Sequence, residues 1–168
     1  MSVNETIREL KLQWVDPMQG ARAALSMSGL EYMRAMLRGE VAHPPIAVLM
    51  GIQLVEVEEG RVVAIATPGE QHYNPIGLVH GGFISTLLDS TTGCAVHTTL
   101  PQGMGYGTVD LHVTFVRPLS HKTGQVRCEG KVLHQGKRMT TAEGRLVGPD
   151  GKMYAHATAT CMLTPTTS

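Results

Sequence analysis

The spacing of apolar positions changes twice along the chain, and those changes divide it. In SGLEYMRAMLRGE, Leu30, Met33 and Leu37 fall at i, i+3 and i+7 on one helical stripe, with Ser28 placed to cap the start and Gly39 to stop the end. A looser helical pattern covers about residues 4 to 14. Pro44 and Pro45 close this first unit, and PPIAVLMG reads as a further short helical turn. From Gly51 the reading becomes β. IQLVEVEEGRVVAIATP gives two strands meeting at Glu59 and Gly60, a hairpin. GTVDLHVTFVRP alternates, with Val109, Leu111, Val113 and Phe115 on one face and Thr108, Asp110, His112 and Thr114 on the other. QVRCEGKVLHQG, KRMTTAEGRLVGPDG and KMYAHATATCMLT supply three more strands, turned at Gly136 and at the GPDG of residues 148–151.

Between the hairpin and the later strands lies HYNPIGLVHGGFISTLLDSTTGCAV, residues 72–96. The spacing predicts a helix over about Gly82 to Thr98. Phe83, Ile84, Leu87, Leu88, Cys94, Ala95 and Val96 point in most directions around its period, so little of it faces water. Ala155, Ala157, Ala159 and Cys161 share one face of the last strand, and a row of small residues lets such a helix approach closely. The expected class is α+β, a curved antiparallel β-sheet wrapped around one long central helix, after an N-terminal helical extension. The divisions expected are 1–45 for the extension, 46–164 for the sheet-and-helix domain and 165–168 for a tail.

Composition narrows the possible partners. A chain of 168 residues fits one domain, and fourteen Lys+Arg against fourteen Asp+Glu leave no net charge to attract nucleic acid or an anionic membrane. Cys94, Cys128 and Cys161 are far apart and form no CxxC pair, which points to a reducing, cytoplasmic setting. Glu5, Arg8, Glu9 and Lys11 interrupt the N-terminus, so a signal peptide is not expected, and no apolar run is long enough to span a bilayer. His72, His97, His112, His121, His134 and His156 lack metal-ligand spacing, so neither a metal nor another cofactor is expected.

The chemistry concentrates in residues 72–96. Most helical aspartates face water, yet Asp89 falls between Leu88 and Ser90 in the middle of an apolar helix, where lost solvation is characteristic of catalytic acids. Upstream, VHGG puts two glycines where a loop becomes a helix. The first N–H groups of a helix have no internal partner and sit at its positive end, so the Gly81 N–H is a candidate oxyanion donor; a simple tight turn is the competing reading. His80 beside them is either a base or, the favoured reading, a brace for the loop. Gly81 and Asp89 lie eight positions apart, about 12 Å along one helix at 1.5 Å per residue. A reacting carbonyl must sit within about 3 Å of both its attacker and its oxyanion donor. If both groups act on one carbonyl, they come from two chains, and a homodimer with two equivalent interfacial sites is expected.

HYNPIGLVHGG, the LLD of the helix and TVDLHVTFVRP together resemble the hotdog-fold acyl-CoA thioesterases of the PaaI type, related to the 4-hydroxybenzoyl-CoA thioesterases. The resemblance covers about residues 46 to 163. It implies a five- or six-stranded antiparallel sheet around a long helix, homodimers and often homotetramers, and hydrolysis of an acyl-CoA or aryl-CoA thioester with CoA as part of the substrate. It assigns Asp89 as nucleophile or general base, Gly81 as the N–H that polarises the carbonyl with His80 beside it, and Asn74 as the group orienting water or thioester. Thr108 falls on the assisting Ser or Thr of the next strand. Lys137, Arg138 and Arg117 are candidates for holding the CoA phosphates, against ordinary solvated charge. Two alternatives stand beside hydrolysis. A hydroxyacyl-thioester dehydratase is disfavoured because His72 is followed by Tyr-Asn-Pro and not by Phe-Pro-Gly. A noncatalytic acyl-CoA binding module has no need of Asp89.

Overall fold

Caps and turn glycines set the boundaries of the elements. The structure is a computed structural model that describes residues 6–166. Helix α1 spans Pro17–Ala24 and starts where the Asp16 side chain accepts the Met18 N–H, with proline in the first turn. Helix α2, Gly29–Leu37, opens on a capping box. Ser28 Oγ accepts the Glu31 N–H while the Glu31 carboxylate accepts the Ser28 N–H. It ends before Gly39, whose φ of 77° is the left-handed conformation that glycine adopts freely. The buried side of α2 is Met33, Ala35 and Met36, whereas Leu37 is exposed, so the seated stripe is rotated from the one that the i, i+3, i+7 spacing marks. Residues 6–16 form no helix, contrary to the pattern read over 4 to 14; residues 4 and 5 lie outside the described residues. Helix α3 is Pro45–Met50.

Six strands follow: β1 Gln53–Glu58, β2 Arg61–Ala66, β3 Met104–Phe115, β4 Val126–Gln135, β5 Met139–Val147 and β6 Met153–Pro165. Between β2 and β3 runs the long helix α4, Gly81–His97. All pairings are antiparallel, in the order β1-β2-β4-β5-β6-β3, so β1 and β3 are the two edge strands. This is the hotdog arrangement of one sheet around one helix. Leu87 and Leu88 of α4 are fully buried among Ala64, Cys128, Leu146 and Ala157. The helix comes closest to the sheet at Gly130 and Gly144, which face each other across β4 and β5. A Cβ on Gly130 would lie 2.2 Å from the Thr91 carbonyl oxygen, and one on Gly144 would lie 2.9 Å from Leu88 Cδ2. Ala155, Ala157, Ala159 and Cys161 of β6 are buried as their spacing predicts.

Strand β3 departs from simple alternation. Its register against β6 passes from Thr108 opposite Cys161 to Asp110 opposite Thr160, leaving Val109 as an extra residue in a bulge. A bulge reverses which face later residues occupy. Thr108 therefore turns toward α4, on the side of Leu111 and Val113, and Val109 is exposed. The expectation that Thr108 lies opposite Leu111 is thus corrected. Among the described residues, no helix is long and apolar enough to cross a membrane.

Candidate active site

The first turn of α4 is built by the loop before it. His80 caps the helix, its Nδ1 accepting the Gly82 N–H at 2.8 Å and its carbonyl accepting the Phe83 N–H at 3.0 Å. His80 is thereby the loop brace. The Gly81 N–H, one position into the helix, has no hydrogen-bond partner among the described residues. A Cβ on Gly81 would sit 3.0 Å from Phe115 Cζ, so glycine is what lets the β3 aromatic close over the turn. Asn74 belongs to the same place. Its Oδ1 accepts the N–H groups of Ile76 and Leu78, each at 3.1 Å, which fixes the turn and leaves its NH2 group to donate. Gly81, Asn74, Leu78, Phe115 and Arg117 line an open cleft of about 430 Å³. Arg117 is anchored there by donating to the Met153 carbonyl, whereas Lys137 and Arg138 are exposed at the β4–β5 turn, away from this cleft.

Asp89 lies two turns further along α4 and is half-buried. The Thr108 hydroxyl donates to its Oδ1 at 2.9 Å, an approach that depends on the bulge at Val109. Among the described residues the other carboxylate oxygen has no hydrogen-bond donor. Asp89 and Thr108 open into a second cavity of about 240 Å³, reached by Cys94 and Tyr106 and lined otherwise mostly by apolar side chains, with His43, Ser90 and Thr91 among them. Burial, with the Asp89 charge added, pushes the Cys94 thiol up to about 12, which favours its neutral form. Burial likewise pushes the Tyr106 phenol well above its ordinary value. Tyr106 fits because Gly93 has no side chain; a Cβ there would lie 2.6 Å from the Tyr106 hydroxyl. The sequence reading singled out neither Tyr106 nor Phe115. Both were within reach of it, since Tyr106 precedes Thr108 by one strand period and Phe115 ends the same strand.

The two cavities share no lining residue. Gly81 and Asp89 occupy one continuous helix, about 12 Å apart along its axis. The protomer thus brings Asn74, His80 and Gly81 together at one place and Asp89 with Thr108 at another. Among the described residues, no group of three or more His, Cys, Asp or Glu side chains is placed to hold a metal ion.

A family model described as the thioesterase superfamily matches residues 76–155, a stretch that holds Gly81, Asp89 and Thr108. A Saccharolobus solfataricus protein that carries an esterase name is 31% identical over 108 residues, covering 64% of this chain and 75% of that one. The chain belongs to the thioesterase superfamily. Within it, human acyl-coenzyme A thioesterase 13 is 34% identical over 93 residues, 55% of this chain and 64% of the human one. The crystal structure of a phenylacetic acid degradation-related protein from Ralstonia eutropha JMP134 superposes with a TM-score of 0.70 at 33% identity, covering 77% of this chain and 97% of that one. This chain is accordingly a hotdog-fold hydrolase of the PaaI-related thioesterases.

Proposed function

We propose that the protein is an acyl-CoA thioesterase whose two active sites each draw on two protomers. The acyl-CoA specificity follows the name of the human relative, and the division of labour follows the geometry. The carrying observation is that Gly81 and Asp89 sit on one helix yet open into separate cavities. Strand β3 supplies the means of joining two copies. It is a 12-residue edge strand carrying Thr108 in its first half and Phe115, against Gly81, at its end. An edge with unpaired backbone groups invites a second strand, and a two-fold interface pairs residue i with j and j with i. Antiparallel pairing of β3 with its own copy, centred midway between these residues, sets Thr108 opposite Phe115 of the partner subunit. That brings Asp89 toward Gly81 of the partner subunit.

In such a site the Gly81 N–H and the Asn74 NH2 group hold the thioester carbonyl oxygen as it gains charge. The free oxygen of Asp89 attacks the carbonyl carbon, or takes a proton from the water that does, while Thr108 keeps the carboxylate in position. Collapse of the tetrahedral intermediate breaks the C–S bond, and the CoA thiolate leaves. On the general-base route the thiolate takes the proton that Asp89 drew from water. On the nucleophilic route its departure leaves an acyl–Asp89 anhydride that water hydrolyses to the free acid, supplying the thiolate's proton. Arg117 stands at the mouth of the Gly81 cleft as a donor for CoA phosphate. Free-thiol release from aryl-, short-, medium- and long-chain acyl-CoAs tests the reading. Turnover that Asp89→Ala removes supports it, and binding without turnover in the natural sequence would replace it with a noncatalytic module.

A further inference from the structure

The cavity at Asp89 is closed by residues from outside the segment that the family model matches. Met36 comes from α2, His43 and Pro44 from the link to α3, and Ile46 and Ala47 from α3, all before residue 76. Met36 is buried, packed with Ala35, Val41 and Leu54, so it is a fixed wall; Ile46 is 43% exposed and forms the outer lip. Opposite them stand Asp89 and Thr108. An acyl group whose carbonyl lies at Asp89 has this cavity as its nearest apolar space.

Resting on the thioesterase reading above, we propose that the N-terminal helical extension, with helix α3 that follows it, is the length gauge of the acyl site, with Met36 and Ile46 as its specificity-determining residues. The volume sets the class of substrate. At about 30 Å³ for each water-sized group, 240 Å³ accommodates about eight non-hydrogen atoms. That suits a medium-length aliphatic chain or a single aromatic ring on a short linker better than a long-chain fatty acyl group. Met36→Ala removes three non-hydrogen atoms of the wall and opens room for about three more carbons at the same volume per group. Ile46→Trp acts at the lip in the opposite sense.

The test is the ratio of kcat/KM for saturated acyl-CoAs of graded length in the natural sequence and in the two variants. Because a single methylene in an apolar pocket changes discrimination about tenfold or more, Met36→Ala should raise the undecanoyl-to-octanoyl ratio by at least about tenfold. Ile46→Trp should lower the octanoyl-to-acetyl ratio by a similar factor. Its position on the surface keeps that variant informative even if Met36→Ala fails to fold. Ratios unchanged in folded variants overturn the gauge. The affinity of Asp89→Asn for the same series, with and without each wall substitution, reads the pocket apart from chemistry. A length cut-off that moves with Met36 and Ile46 supports the gauge, and a cut-off indifferent to both overturns it. If no acyl-CoA is hydrolysed but the binding cut-off moves, the thioesterase reading falls and the gauge stands.

Discussion

The two halves of α4 treat polar groups in opposite ways. In the C-terminal half, Thr91, Thr92 and Thr98 are buried, and each hydroxyl donates to a carbonyl of its own helix: to Leu87 and Leu88 from Thr91, to Leu88 from Thr92, to Ala95 from Thr98. Buried polar groups need such partners, and these make that half of the helix a structural rod. The N-terminal half makes one such bond, from Thr86 to the Gly82 carbonyl, and with the loop before it keeps other groups open. Gly81 offers an unpaired N–H, Asn74 an NH2 group, and Asp89 a carboxylate with one oxygen held by Thr108 and one available. The helix packs closest on the sheet through Leu88 and Thr91, against Gly144 and Gly130, so Asp89 is held at the tightest stretch of the rod while Gly81 lies at its open end.

Substitutions can break that contrast, and the largest effects should fall in the N-terminal half. Asp89→Ala should cost turnover about a hundredfold or more, measured by thiol release, with little change in thermal midpoint. Gly81→Pro should cost about 10²–10³ in kcat by deleting one oxyanion donor. Proline suits the first helical position and His80 before it already has the extended backbone that a following proline requires, so the helix start survives once the Phe115 ring, 3.0 Å from the added Cβ, shifts aside. Thr108→Val frees the Asp89 carboxylate to turn, and about a tenfold loss in kcat is expected with a similar KM. Gly130→Ala should invert the pattern. Its Cβ meets helix backbone, which costs about 3 kcal/mol of stability. In a chain of this size that is a drop of about 10 °C in midpoint, read by calorimetry.

The smallest effect is one of pH. His97 and His72 both have ring pKa values lowered by burial, and each keeps a buried ring nitrogen without a partner. The unfolded chain takes up protons near the ordinary value of 6.5, while the folded rings resist them to lower pH. Stability should therefore be flat in this respect above about 6.5 and fall as pH drops from there toward the folded values. Denaturant titrations between pH 5 and 8 check the slope, which His97→Gln should reduce.

The rod was legible in the sequence and part of the site was not. Apolar residues all around the 3.6 period announced α4, the hairpin glycines announced the strands, and the alanines of β6 announced a close helix, because periodicity reports burial directly. The bulge escaped, since strict alternation reads Val109 as one more inward residue and so sends Thr108 the wrong way. Helix α1 escaped too, although Asp16 and Pro17 are a start signal just beyond the 4–14 pattern. The role of Met36 was invisible because a buried methionine on a helix stripe looks the same whether it packs on core or closes a cavity.

The most direct test of the shared site mixes two inactive proteins. Gly81→Pro and Asp89→Ala chains, allowed to exchange subunits, form hybrid dimers in which one of the two sites keeps both Gly81 and Asp89. Shared sites predict recovery of about one quarter of the activity of the natural sequence from an equimolar mixture, because half of the dimers are hybrids with one intact site each. Activity that stays at the level of the separate variants, with subunit exchange demonstrated by mass labelling, would contradict the account and return both residues to a single chain.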